Sequence, residues 1–319
     1  MRVELLPLNE ARPLLHTMPI AFLPSLFCKE AYAHSYTEGN VFVGVAHDTK
    51  QIHALIYLYE GEQRCFFSPR FLTFGGWEGS RWFTTKQWGL LLECTIRFLR
   101  QQQASCLRIS LPPDFYPICT PPQQIWRKLS LGIKEVREIE DVCHYIEVKN
   151  TPLRVRMSRG QRRYLSIPCR QGWQLRRRPA TEVDWQEFYA LLQLNRQTRN
   201  IPLSISFERL CRSVTIAGDA LQLFELRDTQ GTLLAACIAL WVHPQVLYYF
   251  LPCNHPHYYV FSPMVPLLNA MYEYAQQEGI SFLDLGISSV EGIINEGLSA
   301  FKERMGANRG SKKTLIISL

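Results

Sequence analysis

The sequence predicts two tandem α/β (α+β) domains, each a mixed central sheet flanked by helices. Three observations carry this. The chain has 319 residues, the length of two medium domains. Its composition, 47% hydrophobic and 20% charged, is ordinary for a globular protein and leaves no room for long disordered stretches. The order strand, turn, strand, strand, helix, strand occurs twice, about 180 residues apart, with Asp-Thr at the turn each time.

The elements follow in chain order. In the first half VFVGVAH reads as a strand ending at Asp48-Thr49, and IHALIYLYE and RCFFS as two more. From Lys86 to Gln103, Trp88, Leu91, Leu92, Thr95, Ile96 and Leu99 recur at helical spacing, and CLRISL is the strand after them. The run Pro112, Pro113, Pro117, Pro121 and Pro122 is a loop within this domain, and Phe74-Gly75-Gly76-Trp77 is a tight turn with aromatics. A strand VCHYIEV closes the first domain, 1–150; the second is 151–319. Ser158 opens a helix running to Pro168, Trp173 to Arg177 is a strand, Asp184 to Gln197 a helix, and Ser206 caps another. LQLFELR ends at Asp228-Thr229, TLLAACIALWV and VLYYFLP are strands, and Ser262-Pro263 starts a helix to Gln277, with Gly279 at its end. ISFLDLG is the next strand.

The net charge of +7 is local. Lys149 to Arg178 holds nine Arg and one Lys without an Asp or Glu, and the remainder of the chain is slightly acidic. Such a patch suits an anion; duplex DNA is a poor partner, because no recognition motif accompanies it. Ten scattered cysteines have neither zinc-site clustering nor the density of a disulfide scaffold, and read as small hydrophobes in a reducing compartment. Cys253, His255 and His257 lack a fourth ligand, so no metal is expected. Glu4, Glu10 and Arg12 interrupt any apolar leader, and no run is long enough to span a bilayer, so the expected location is cytoplasmic.

Asp284-Leu285-Gly286, a loop, and then Phe301-Lys302-Glu303-Arg304-Met305-Gly306-Ala307 resemble the DLG…FKxxFGA ending of the FemAB-type and BioF2-like acyltransferases. Ser158-Arg159-Gly160-Gln161-Arg162-Arg163-Tyr164, followed by Gly172-Trp173, resembles the basic helix that opens their second domain. The resemblance covers the second half of the chain and, through the repeat, extends to the first. It implies a tandem GNAT (acyl-CoA N-acyltransferase) fold and transfer of an acyl group to an amine. It also implies that Phe74 to Trp77 line a cleft. Two positions depart from the pattern: Met264 stands where the family often has Gly, and no Gly-rich pyrophosphate loop precedes Ser262.

Amine attack on an activated carbonyl needs a deprotonated nitrogen, charge stabilisation at the oxyanion and an anchor for the donor. In resembling enzymes the Lys of FK contacts the acyl ester end of the donor, which gives that role to Lys302. It lies on a short helix expected to bury Leu298, Phe301 and Met305. Tyr248 and Tyr249 alternate along a strand, so one faces each side of the sheet, and either hydroxyl is a candidate proton donor to a leaving thiolate. Arg156, Arg159, Arg162 and Arg163 recur at one-turn intervals and suit phosphate. Ser262, Asp284, Gly286, Phe301 and Arg304 complete the candidate donor and substrate site. No tightly bound cofactor is expected. The cosubstrate is acyl-CoA, with aminoacyl-tRNA as the alternative, and the acceptor a small molecule or cell-wall precursor. A non-catalytic binding protein of the same fold is the third reading. The acyl group, the general base and the oligomeric state stay open.

Overall fold

The computed structural model describes residues 1–36, 38–128 and 133–319. Contacts divide them into two units, Met1–Asp141 with Ser311–Leu319, and Val142–Gly310. The division falls at 141 rather than 150, and the C-terminal residues return to the first unit. In both cases a strand is shared between units, and its pairing is a long-range property that local pattern does not reveal.

The first unit contains β1 (Arg2–Pro7), α1 (Leu8–Thr17), β2 (Val41–His47), β3 (Ile52–Glu60), β4 (Cys65–Ser68), α2 (Thr85–Gln101) and β5 (Cys106–Ser110). Strands β1 to β4 pair antiparallel in sequence order, and β4 pairs parallel with β5. A parallel pair needs a crossover, and α2 supplies it. Thr84 caps α2 in a reciprocal box with Gln87. All six residues expected on its inner face are buried, against a core that includes Ile56, Leu58, Trp77 and Leu107. The turn Phe74 to Trp77 differs from expectation. Phe74 and Trp77 are fully buried in the core, Trp77 donating to Thr95 Oγ1 at 3.0 Å, so they line no cleft.

The strand β6 (Glu135–Glu147) leads into the second unit. That unit holds β7 (Gln174–Pro179), α3 (Trp185–Thr198), α4 (Phe207–Ala217), β8 (Leu221–Arg227), β9 (Leu233–His243), β10 (Val246–Asn254), α5 (Met264–Gln277), β11 (Phe282–Ile287), α6 (Glu296–Arg304) and the start of β12 (Asn308–Ser318). Its pairing repeats the first unit's. Strands β7 to β10 run antiparallel, β10 pairs parallel with β11, and α5 is the crossover. The end of β6 closes this sheet against β11, as Thr314 to Ser318 of β12 close the first against β5. The two Asp-Thr turns are built alike. Asp48 Oδ1 accepts from the amides of Lys50 and Gln51, and Asp228 Oδ1 from those of Gln230 and Thr232.

The cysteine reading needs one correction: Cys65 and Cys106 form a disulfide. They are 41 residues apart in sequence but face each other in the parallel register of β4 and β5, a pairing that spacing alone cannot disclose. Among the described residues no helix is long and apolar enough to cross a membrane.

Candidate active site

The candidate site lies in the second unit, where β10 and β11 run parallel and the chain turns from β11 towards α6. Asn295 starts α6 by accepting from the amide of Leu298 at 3.0 Å. The helix buries Ser299 and Lys302, one turn apart, and Met305 follows it into the core. Leu298 and Phe301 are only partly covered, so the inner face differs from the expected apolar one. The Lys is turned inwards because the carbonyls at the end of β11 accept from it, and the Ser because His144 and Glu303 meet its hydroxyl.

Lys302 is 3% exposed. Its Nζ donates to the carbonyls of Gly286 at 2.9 Å and Ile287 at 2.8 Å. A protonated amine has three N–H bonds, so two fix its position and the third is left for another acceptor. Burial pulls its pKa down to about 8, against the opposing field of Asp284 and Cys143. Asp284 is itself buried and accepts from the Gly286 amide at 2.7 Å, which ties the turn after β11. Gly286 has φ +73°, and a Cβ there would stand 3.3 Å from the hydroxyl of Tyr248. Both facts call for glycine. Lys302, Asp284, Gly286 and Tyr248 are therefore brought together.

Tyr249 points the other way. It is buried among Ala235, Cys237, Met271 and Leu285, and burial raises its pKa well above the ordinary tyrosine value. Of the two tyrosines, Tyr248 is the one beside Lys302's loop.

A second layer was not visible in the sequence. His144, fully buried at the end of β6, lies between two hydroxyls: Ser288 Oγ is 3.0 Å from Nδ1 and Ser299 Oγ 3.3 Å from Nε2. Glu303 Oε1 is 3.6 Å from Nε2 and accepts from Ser299 Oγ at 3.2 Å. Burial, with the charge of Lys302, favours the neutral ring and lowers the imidazole pKa against the opposing pull of Glu303. A neutral ring donates from one nitrogen and accepts at the other, which matches a hydroxyl on each side. His144 thus joins the loop after β11 to α6, the two segments that hold Lys302. A lone His in a strand gives no sequence signal for this, since both serines come from more than 140 residues away.

The basic segment departs from a single helix. It forms a short α turn at Arg159–Arg162, a 3-10 turn at Arg163–Ser166 and a second α turn at Ile167–Gln171. Pro168 stands at the start of the last, where its missing N–H costs nothing, rather than at an end. Ser158 does not cap; its Oγ is buried without a partner. Arg156 is turned inwards and donates to the Glu147 carbonyl at 2.9 Å and to Asn308 Oδ1 at 3.4 Å. Arg159, Arg162 and Arg163 are exposed. Arg163 lies over the Tyr164 ring and donates to its hydroxyl. Trp173 packs edge-on against Tyr258 and Phe261, bringing this segment against the loop that precedes α5.

Ser262 also differs from expectation. It is in the left-handed region (φ 46°, ψ 56°) at the end of the turn Pro256–Phe261, and its carbonyl, not its side chain, meets the amide of Val265. Its hydroxyl is turned towards Tyr164 and lowers that tyrosine's pKa, after the larger effect of Arg163. Phe301 packs against the core from α6, while Arg304 is exposed and its carbonyl accepts from the Ser158 amide. Among the described residues no group of His, Cys, Asp and Glu is arranged to hold a metal.

Residues 153–303 match the family described as acetyltransferase (GNAT) domain. No curated protein matches the sequence. Among solved structures, FemX is 13% identical with a TM-score of 0.65, over 98% of this chain and 97% of that one. A tandem GNAT protein from the clavulanic acid biosynthesis pathway is 11% identical, TM-score 0.56, over 99% and 98%. The chain has the tandem GNAT fold. The C-terminal domain of a putative lysylphosphatidylglycerol synthetase from Agrobacterium fabrum is also similar, at 12% identity and TM-score 0.59 over 83% and 80%. In tandem GNAT terms, β10, α5 and β11 are the parallel pair and crossover of the second unit, and Lys302 is anchored where that pair ends.

Proposed function

We propose that the second unit is an N-acyltransferase that moves an acyl group from acyl-CoA to an amine on an amino sugar or cell-envelope precursor. The observation that carries this is the buried Lys302, held by two carbonyls at the end of β11 with one N–H left over. A fixed cation in a low-dielectric setting stabilises the oxyanion that forms when the amine attacks the thioester. As the tetrahedral species collapses, the C–S bond breaks, the attacking nitrogen gives up its extra proton to solvent and the thiolate takes one. Tyr248, beside Gly286, is the candidate donor of that proton. Exposed Arg159, Arg162 and Arg163 are suited to the donor's phosphates.

The same arginines support a second reading, with aminoacyl-tRNA as donor. The likeness to a protein named as a lysylphosphatidylglycerol synthetase is in keeping with it. Thermal melting with CoA, acetyl-CoA and longer acyl-CoAs tests the first reading, since a ligand of the native state alone raises Tm. A rise confined to the CoA series supports acyl-CoA. No rise in a folded sample turns the assignment to aminoacyl-tRNA or to a non-catalytic binding protein.

A further inference from the structure

Arg196, in the last turn of α3, is half-buried and lacks the carboxylate that such a side chain ordinarily has. Its Nη1 donates to Asn195 Oδ1 at 2.7 Å and its Nη2 to the carbonyl of Pro252 at 3.2 Å. Both acceptors are neutral. The contrast within the same unit is direct: Arg227 meets Glu187 and Glu225, and Arg309 meets Glu303. Among the described residues no acid pairs with Arg196, and the neighbouring charge of Arg199 opposes it. Burial, helped by Arg199, pulls the guanidinium pKa down, against the opposing influence of Cys253, Tyr249 and Tyr259.

The surroundings are built rather than loose. Asn195 is 1% exposed, and its amide donates to the Asn254 carbonyl at 2.8 Å, Asn254 Oδ1 at 3.1 Å and the Tyr259 hydroxyl at 3.2 Å. Its remaining oxygen is what orients Arg196. Three segments therefore meet at this guanidinium: α3, the end of β10, and the turn after it. Tyr259 and Arg199 beside it reach solvent, and Arg196 itself is only half-buried. A planar fork with five N–H bonds, positioned by a buried amide and short of an anion, suits a two-oxygen ligand.

We propose that Arg196, oriented by Asn195, is a recognition site for an oxyanion group of the substrate, a carboxylate or a phosphate. That this group belongs to the acceptor rests on the acyl-transfer reading; the oxyanion site itself does not. The test is thermal melting in inorganic phosphate and in acetate, against chloride at equal ionic strength, for the wild type, Arg196→Met and Arg212→Ala. Arg212 is an exposed arginine paired with Glu208 one turn away, and controls for general surface binding. Phosphate also stabilises folded proteins generally and can meet Arg159, Arg162 and Arg163, so the readout is a difference. The rise over chloride is expected to be larger by at least about 2 °C in the wild type and Arg212→Ala than in Arg196→Met. Where Arg196→Met loses part of the rise in phosphate alone, the ligand is a phosphate; where it loses part of it in acetate, a carboxylate. No anion-specific rise in the wild type, or an equal rise in Arg196→Met, overturns the site. Should Arg196→Met not fold, Arg196→Lys keeps the charge and removes the fork, and full retention of the shift in it contradicts the proposal. Melting with acyl-CoA is a separate readout, so failure here and failure of the acyl-transfer reading are distinguishable.

Discussion

Lys302 concentrates the chemistry at the scale of single residues. Its pKa is lowered to about 8, so a role as a cation is lost as pH rises through that value. The rate against pH should fall on its basic side near 8, and a profile flat to pH 10 would remove the cationic role. Gly286→Ala should be folded poorly or inactive, because φ +73° and the Tyr248 hydroxyl both oppose a methyl group; circular dichroism with an activity assay reads both. The position of Lys302 in the FK pair was legible in the sequence, but its burial was not. Burial depends on two carbonyls that α6 meets only after the chain has turned. Glu78 in the first unit makes a separate prediction. It is buried, accepts from the amide and hydroxyl of Ser25, and burial lifts its pKa from 4.5 to about 7. Because the folded pKa is raised, its contribution favours folding below 4.5 and is lost as pH rises to about 7. Glu78→Gln should flatten that window, with its stability relative to wild type improving by up to about 3 kcal/mol across it in urea unfolding at pH 4.5 and 8. A constant difference would mean that Glu78 is ionised throughout.

At the scale of elements, the repeat was the most readable feature. Alternating strands, the α2 periodicity and the two Asp-Thr turns all arise from local spacing, and local spacing is what a sequence displays. Asp48→Ala and Asp228→Ala should each cost about 1 kcal/mol, since each removes two side-chain to amide hydrogen bonds and one further polar contact, with His53 Nε2 in the first turn and the Thr232 hydroxyl in the second. Chemical denaturation measures it, and a clearly unequal pair would show that the two turns are not equivalent. Helix starts were read less well. Ser206 and Asp184 cap as their positions suggest, whereas Ser158 and Ser262 do not. The Ser262 side chain is turned towards Tyr164 instead, while the Ser158 hydroxyl is buried and meets no partner.

At the scale of the whole chain, charge is the readable property and pairing the hidden one. The acid-free run from Lys149 to Arg178 stands out in composition, and Arg159, Arg162 and Arg163 are exposed as an anion site requires. If these arginines hold an extended polyanion such as tRNA, the logarithm of affinity should fall steeply and linearly with log salt; a single CoA gives a shallow slope. The strands that close each sheet, and the facing of Cys65 with Cys106, lay beyond reach because they join segments far apart in sequence. The His144 layer was hidden for the same reason. The most direct measurement is acyl transfer from a bound acyl donor to an amine, compared between wild type and Lys302→Ala under single-turnover conditions. The account predicts a fall in rate of about 100-fold or more with donor binding nearly unchanged. An unchanged rate in Lys302→Ala would contradict it.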